Sequence, residues 1–247
     1  METPHKKRVL VVDGIALTRF AMRSILDLHP LVEVVDEAKD APEARRLCAE
    51  IKPDLVVLDL RLPRGDGLDL LRDLRNLHSP VKLLVCSEEE DLTMVRRAFR
   101  AGAGGYVSKC DESHEIPRAI EQVLSGRRFA SRRVSEGLLD VLAGGMPEKR
   151  AREVETLSNR ELHIFRLLGR NVGATAIARE LGITVKTVET HQLRLKQKLN
   201  VRSCDELRKR AEAWASEGGL APISEGRATK KRGQLTPPRK LRNAALT

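Results

Sequence analysis

Aromatic side chains are scarce: Phe20, Phe99, Tyr106, Phe129, Phe165 and Trp214 are the only six in 247 residues. A stacking platform for single-stranded nucleic acid needs aromatic faces, so that class of binder is disfavoured. Cysteine is equally sparse. Cys48, Cys86, Cys110 and Cys204 show no C-x-x-C spacing and do not cluster with the histidines. That argues against a disulfide scaffold or structural zinc and fits a reducing, cytoplasmic setting. No apolar run reaches the ~18 residues of a membrane span. The opening METPHKKR lacks the apolar stretch of a signal peptide.

What is present is enough apolar material for real cores, 41% hydrophobic against 32% charged, which excludes a wholly disordered chain. The net charge of +10 raises nucleic acid as a partner, and its distribution is more informative than its total. Residues 1–125 carry a net −3, residues 126–155 +2, residues 156–215 +6 and residues 216–247 +5. An acidic first half and a basic second half suit one domain that receives a signal and another that meets phosphates.

In the first half, short Val- and Leu-rich runs recur at Val9–Val12, Val32–Val35, Leu55–Leu58, Lys82–Cys86 and Gly105–Ser108. Their length suits strands buried on both faces of a parallel sheet. Helical stripes alternate with them: Leu17, Ala21, Ile25 and Leu28; Ala44, Leu47, Cys48 and Ile51; Leu68, Leu71 and Leu74; Met94, Val95, Ala98 and Phe99; and Ile116, Ile120, Val123 and Leu124. Five β/α repeats predict an α/β, flavodoxin-like, doubly wound parallel sheet over residues 1–125. Ligand sites of such sheets lie beyond the carboxyl ends of the strands. There the runs end in Asp13, Asp59, Ser87 and Lys109. Carboxylates gathered at that edge can bind Mg²⁺ through oxygen, and a lysine with a hydroxyl can hold phosphoryl oxygens. Any one of these residues is equally explained as a helix cap; four together, at the ends of the first, third, fourth and fifth runs, are not.

Residues 8–125 resemble the receiver domain of bacterial two-component response regulators, through RVLVVD (8–13), PDLVVLDLRLPRGDG (53–67), KLLVCS (82–87) and AGAGGYVSK (101–109). The resemblance implies that Asp59 is the phosphoacceptor and that Asp13, Asp59 and the backbone carbonyl of Arg61 hold Mg²⁺. Ser87, Tyr106 and Lys109 would form the switch. The family pattern has two adjacent acids after the first strand, whereas this chain reads Asp13-Gly14, and the missing carboxylate is the one that usually touches the metal. Weakened Mg²⁺ binding is therefore expected, and phosphorylation-independent DNA binding stays open as an alternative.

Residues 126–155 read as a linker punctuated by Gly126, Gly137, Gly144-Gly145 and Pro147, with one short amphipathic helix through Val134, Leu138, Leu139 and Val141-Leu142. Residues 156–215 turn all-helical. Ser158-Asn-Arg-Glu161 and Ser203-Cys-Asp-Glu206 are capping boxes, Gly182 sits at a tight turn, and Thr184 caps a basic helix with Val188, His191, Leu195 and Leu199 facing inward. Two short helices around such a turn make a helix-turn-helix. Outward on the basic helix lie Lys186, Thr187, Glu189, Thr190, Leu193, Arg194 and Gln197. Residues near its start suit base edges, and Lys186, Arg194, Lys196 and Lys198 suit phosphates. By charge alone, a solvated basic face on an ordinary bundle explains this equally well. The stretches LSNRELHIFRLLGRN (157–171), AIARELGITVKTVETH (176–191) and QKLNVRSCDELRKRA (197–211), however, resemble the LuxR-type (NarL/FixJ) four-helix DNA-binding domain. His191 is then a half-buried or phosphate-facing residue rather than a metal ligand.

The tail, 216–247, has too few apolar residues to fold alone, and reads as a disordered basic extension that either adds nonspecific DNA affinity or only solubilises. The expectation is a non-enzymatic transcriptional response regulator, switched at Asp59 by a sensor histidine kinase and binding promoter DNA as a homodimer, with no membrane contact. An Asp-nucleophile phosphatase of the haloacid dehalogenase type is the poorer alternative, because such an enzyme needs a second Asp two residues on, where this chain has Arg61.

Overall fold

A computed structural model describes residues 6–77, 81–89, 91–144, 154 and 156–215. Strands and helices alternate through β1 (Lys7–Val12), α1 (Ala16–Asp27), β2 (Val32–Ala38), α2 (Ala41–Ile51), β3 (Leu55–Leu58), α3 (Gly67–Asn76), β4 (Lys82–Ser87), α4 (Leu92–Ala101), β5 (Gly105–Ser108) and α5 (Glu115–Leu124). The sheet is parallel throughout, in the order β2-β1-β3-β4-β5 with a short sixth strand, β6 (Phe129–Ala130), beside β5. Its central strands are apolar on both faces because helices cover both: Leu55, Val56, Val57 and Leu58 of β3 are all buried. Met22, Leu26, Ala119, Ile120 and Val123 of α1 and α5 fill one side, and the α2–α4 stripes fill the other. Strand order reverses beside β1, whose neighbours are β2 and β3, so the carboxyl ends of β1 and β3 open onto the crevice where such sheets place their sites.

Two parts of the first half depart from the sequence expectation. The α1 stripe is displaced: Met22 and Leu26 are buried, whereas Leu17 and Leu28 are 75% and 87% exposed and Ala21 is also exposed. Both sets have helical spacing, and periodicity alone does not choose between them. Arg19 and Arg23 decide it by turning toward Glu37 of β2, with contacts of 3.2 and 2.6 Å. The stretch expected to open the linker instead adds a sixth strand, β6 (Phe129–Ala130), paired with Gly105 and Tyr106. The expected linker helix is α6 (Arg132–Gly144), with Val134 buried and Leu139 exposed. The residues between α6 and Val154, and the tail, lie outside the described residues.

The second half comprises α7 (Asn159–Gly169), α8 (Ala174–Glu180), α9 (Val185–Leu199) and α10 (Cys204–Trp214). Ser158 and Glu161 form the reciprocal capping box at the start of α7. At α10 only half of the expected box forms. Ser203 accepts from the Glu206 amide at 3.0 Å, but the Glu206 carboxylate accepts from the Arg202 amide rather than that of Ser203. Gly182, at φ +60°, makes the left-handed turn between α8 and α9. The rings of Phe165 and Trp214 meet at 5.8 Å in a tilted pair that joins α7 to α10.

α7 and α10 approach so closely at Gly169 that a Cβ there would lie 2.5 Å from the Ala211 carbonyl oxygen. Backbone cannot yield as a flexible side chain does. Gly169→Ala is therefore expected to destabilise the helical half by about 2 kcal/mol, the scale of overpacking in a filled interior. Urea unfolding followed by Trp214 fluorescence checks this, and an unchanged midpoint would contradict it.

Candidate functional site

The four strand-end residues meet. Asp13 follows β1, Asp59 follows β3, Ser87 ends β4 and Lys109 follows β5. The Lys109 Nζ lies 2.6 Å from Asp13 Oδ2 and 2.7 Å from Asp59 Oδ2, so one ammonium bridges two buried carboxylates. Burial alone would pull the lysine toward neutrality, but the charges of Asp59 and Asp13 outweigh it and hold its pKa above the ordinary value. The other oxygen of Asp59 accepts from Ser87 Oγ at 2.5 Å and from the Arg61 amide at 3.2 Å. Asp13 Oδ1 accepts from the Ile15 amide at 2.8 Å, which fixes the loop after β1. Local backbone bonds seat the pieces: the Asp59 amide donates to the Val12 carbonyl, and the Lys109 amide to that of Ser87.

Gly14 has a steric reason. A Cβ at this position would stand 2.6 Å from Cδ of Pro63, in the loop after β3. A side chain here would therefore require the Pro63 ring to shift.

Tyr106 is fully buried in β5, and its hydroxyl donates to the backbone carbonyl of Glu89. Burial first, then the nearby charges of Glu89 and Asp59, push the phenol well above its usual pKa, so it remains a donor. The Glu89 amide in turn donates to Ser87 Oγ at 3.3 Å. Asp59, Ser87, Glu89 and Tyr106 thus form one connected set.

From this set the contacts run directly into the helical half. The Glu89 carboxylate pairs with Arg166 of α7, and the Arg166 guanidinium also stands 3.5 Å from Asp91, the N-cap of α4. All three side chains are buried. Burial opposes ionisation of Glu89, but Arg166 and then His163 more than offset it, and its pKa is lowered. His163 of α7 sits 3.9 Å from both Glu89 and Glu180; burial pulls its pKa down to about 4, with Arg166 adding to the effect and Glu89 opposing it. Nearby, Asn159 donates toward Asp66 and Asp69 at 3.3 Å and accepts from Arg97 at 2.9 Å. The turn at Leu181–Gly182 packs against the loop carrying Pro63, and a cavity of about 230 Å³ between them is lined by Gly14, Arg61, Pro63, His163 and Leu181. Sequence reading missed Glu89, Asp91, His163 and Arg166. The available signal was a charged residue, Arg166, in an α7 segment otherwise filled by Leu162, Phe165, Leu167 and Leu168.

On α9, Thr184 caps the helix through the Thr187 amide. Lys186, Glu189, Thr190, Leu193 and Arg194 are exposed, and Thr187, His191 and Lys196 are half-buried. Burial, then Arg194, lowers the His191 pKa. Thr190 donates back to the Lys186 carbonyl at 2.9 Å. Lys198 is engaged in the fold, bonded to Glu161 at 2.6 Å and to the Thr156 carbonyl at 3.1 Å.

Comparison with known proteins matches residues 9–121 to the response regulator receiver domain and residues 155–211 to the luxR family of bacterial regulatory proteins. The chain is 32% identical over 200 residues to BvgA, the transcription regulator of virulence factors of Bordetella pertussis, covering 81% of this chain and 94% of that one. It is 29% identical to the nitrate/nitrite response regulator NarL of Escherichia coli K12, over 88% of this chain and 98% of that one. Among solved structures, a LuxR-family two-component response regulator from Aurantimonas sp. SI85-9A1 is 34% identical, with a TM-score of 0.54 over 56% of this chain and 99% of that one. RcsB of Salmonella typhimurium, 20% identical, shares the fold with a TM-score of 0.60 over 85% of this chain and 98% of that one. No helix among the described residues is long and apolar enough to cross a membrane. The chain belongs to the two-component response regulators that join a receiver domain to a LuxR-type helix-turn-helix, and is a DNA-binding regulator of transcription.

Proposed function

We propose that Asp59 accepts a phosphoryl group from the phosphohistidine of a sensor kinase and that the modification releases the helical domain to bind promoter DNA. The observation that carries this is the Lys109 ammonium between Asp13 and Asp59, with Ser87 on the other Asp59 oxygen. In the transfer an Asp59 oxygen attacks phosphorus while the phosphorus–nitrogen bond of the donor breaks. Lys109 and Ser87, each bonded to an Asp59 carboxylate oxygen, would take the new phosphoryl oxygens. The donor set is all oxygen and suits a hard cation. Asp13, Asp59 and the Arg61 carbonyl would hold Mg²⁺, with water replacing the acid absent at Gly14, and the bound ion would neutralise charge on the transferring group. Losing that carboxylate weakens the hold.

Release follows from the connected set. A phosphoryl group that draws Ser87 toward it pulls on the Glu89 amide and on the partner of Tyr106, and so on the carboxylate that pairs with Arg166. The receiver is residues 1–125 extended by β6 and α6, and the DNA-binding domain is 156–215. Lys186, Thr187, Thr190, Arg194 and Lys196 meet the duplex, with Lys198 contributing from its pair with Glu161. RcsB has been solved as dimers on DNA, and the same arrangement is proposed here, in the cytoplasm.

Asp59→Asn tests the switch. A small phosphodonor with Mg²⁺ should raise the DNA affinity of the wild type by at least fivefold, a coupling of about 1 kcal/mol, and leave the variant at its basal level. An equal response in both proteins would contradict the assignment and favour phosphorylation-independent binding.

Docking should also depend on pH. With its pKa lowered to about 4, His163 is neutral where it is docked, facing Glu89, Glu180, Arg166, Arg160 and Arg61, whereas freed it titrates near 6.5. Its contribution is intact above pH 6.5 and is lost as pH falls from 6.5 toward 4, because only the undocked form takes up the proton. The full loss is at most about 3 kcal/mol. Urea unfolding of wild type and His163→Gln between pH 7 and 4.5 checks this. Parallel pH slopes would contradict it.

A further inference from the structure

The basic helix α9 turns an unexpected pair of side chains away from the core. Among the described residues of the helical half, the exposed large hydrophobic side chains are Val185 and Leu193, both on α9, and Leu193 is 52% exposed. At 3.6 residues per turn, Leu193 points within about 40° of the direction opposite to the buried Val188, Leu195 and Leu199. Lys186 and Gln197 share this outward line. Glu189 lies to one side of it, and Thr190 and Arg194 lie to the other. Glu189 is exposed, and among the described residues it makes no ion pair. The neighbouring hydroxyls are engaged within the helix. Thr190 donates to the Lys186 carbonyl at 2.9 Å, and Thr187 shares a hydrogen bond with Thr184 at 2.8 Å.

A single exposed leucine is ordinary on a protein surface. At the middle of a face laid in a DNA groove, it meets base edges instead of water. A carboxylate on the same face is repelled by the phosphates, and a donor on a base edge is what offsets that cost. In the major groove guanine offers two acceptors, thymine an acceptor and a methyl, adenine an acceptor beside a donor, and cytosine a donor alone. A carboxylate accepts and does not donate, so it matches cytosine and is opposed by the acceptors of the other three. Leucine does neither, and the apolar group on these edges is the C5 methyl of thymine. Residues four apart are neighbours on one helix face, about 6 Å apart along its axis, against about 3.4 Å per base pair. The two side chains therefore reach base pairs no more than about two steps apart.

We propose that Glu189 and Leu193 set the sequence preference of this regulator. Glu189 accepts a hydrogen bond from the N4 amino group of a cytosine, and Leu193 packs on the C5 methyl of a thymine within about two base pairs of it, in the major groove of each half-site. Lys186 and Arg194 flank the pair and hold the phosphates. The assignment rests on the proposed placing of α9 on the duplex, and it is independent of how the receiver is switched.

Selection of duplexes from a randomised library by the full chain, with and without phosphodonor and Mg²⁺, tests the assignment. Enriched half-sites should hold a cytosine and a thymine within about two base pairs of each other. Replacing that thymine with deoxyuridine removes only the methyl and should weaken the wild type about fourfold, the worth of one buried methyl group. Leu193→Ala should not distinguish the two duplexes. Glu189→Gln should turn the preference at the cytosine position to adenine, because an amide can bond adenine N6 and N7 together. Both positions are exposed, and each comparison is a ratio of affinities within one protein, so the folded fraction cancels. Arg194→Ala should weaken all sequences alike, as loss of a phosphate contact does. Unchanged DNA affinity in Arg194→Ala would overturn the placing of α9 on the duplex, and this proposal with it. Where that loss is seen, any of three results overturns the base assignment alone: enriched sites without the cytosine and thymine, a wild type indifferent to deoxyuridine, or a Glu189→Gln protein that still selects cytosine.

Discussion

Arg166 carries a positive charge in a place closed to water, and it can be there only because Glu89 and Asp91 are beside it. An unpaired buried charge costs several kcal/mol, so removing either side of such a pair leaves the other stranded. Burial opposes ionisation of Arg166, yet Asp91 and Glu89 hold its pKa above the ordinary value. The cluster joins the two domains, beside the contacts of Asn159 with Asp66, Asp69 and Arg97. Glu89 belongs to the loop after β4 and Arg166 to the first helix of the DNA-binding domain.

The same residue, Glu89, is tied through its backbone to the phosphoacceptor side. Its amide reaches Ser87, whose hydroxyl reaches Asp59, and its carbonyl takes the hydroxyl of Tyr106. A backbone bond on one side and a side-chain ion pair on the other make Glu89 a short mechanical link. In the proposed mechanism the two halves are therefore coupled by one residue's geometry rather than by a long path. Gly14 lies against the same loop: a Cβ there would press on the Pro63 ring, and the Pro63 loop lies under the turn at Leu181–Gly182.

Most of the fold was legible because it is written in periods. Four-residue Val and Leu runs gave the strands, capping residues gave the helix starts, and Gly182 gave the turn. Strand ends, read in order, brought Asp13, Asp59, Ser87 and Lys109 to one edge, since a parallel sheet aligns all its carboxyl ends. The failures have physical causes. α1 offers two stripes with the same spacing, and only the Arg19 and Arg23 pairs with Glu37 select one. β6 is two residues long, too short to carry a pattern. The domain interface adds a polar cluster, Glu89, Asp91, Asn159, His163 and Arg166, to apolar packing in which residues of both halves share one buried cluster, and apolar periodicity is silent about the polar part and about which stripe meets which. Lys198 reads as a phosphate contact from charge alone, and the structure adds its pair with the Glu161 cap.

The central claim is that the buried Glu89–Arg166 pair holds the DNA-binding domain against the receiver. The most direct measurement is the promoter affinity of unphosphorylated Arg166→Ala beside that of the wild type with and without phosphodonor. The account predicts that the variant, untreated, binds DNA at least fivefold more tightly than untreated wild type and gains little further from phosphodonor. A correctly folded Arg166→Ala protein with wild-type basal affinity and an undiminished phosphodonor response would contradict it.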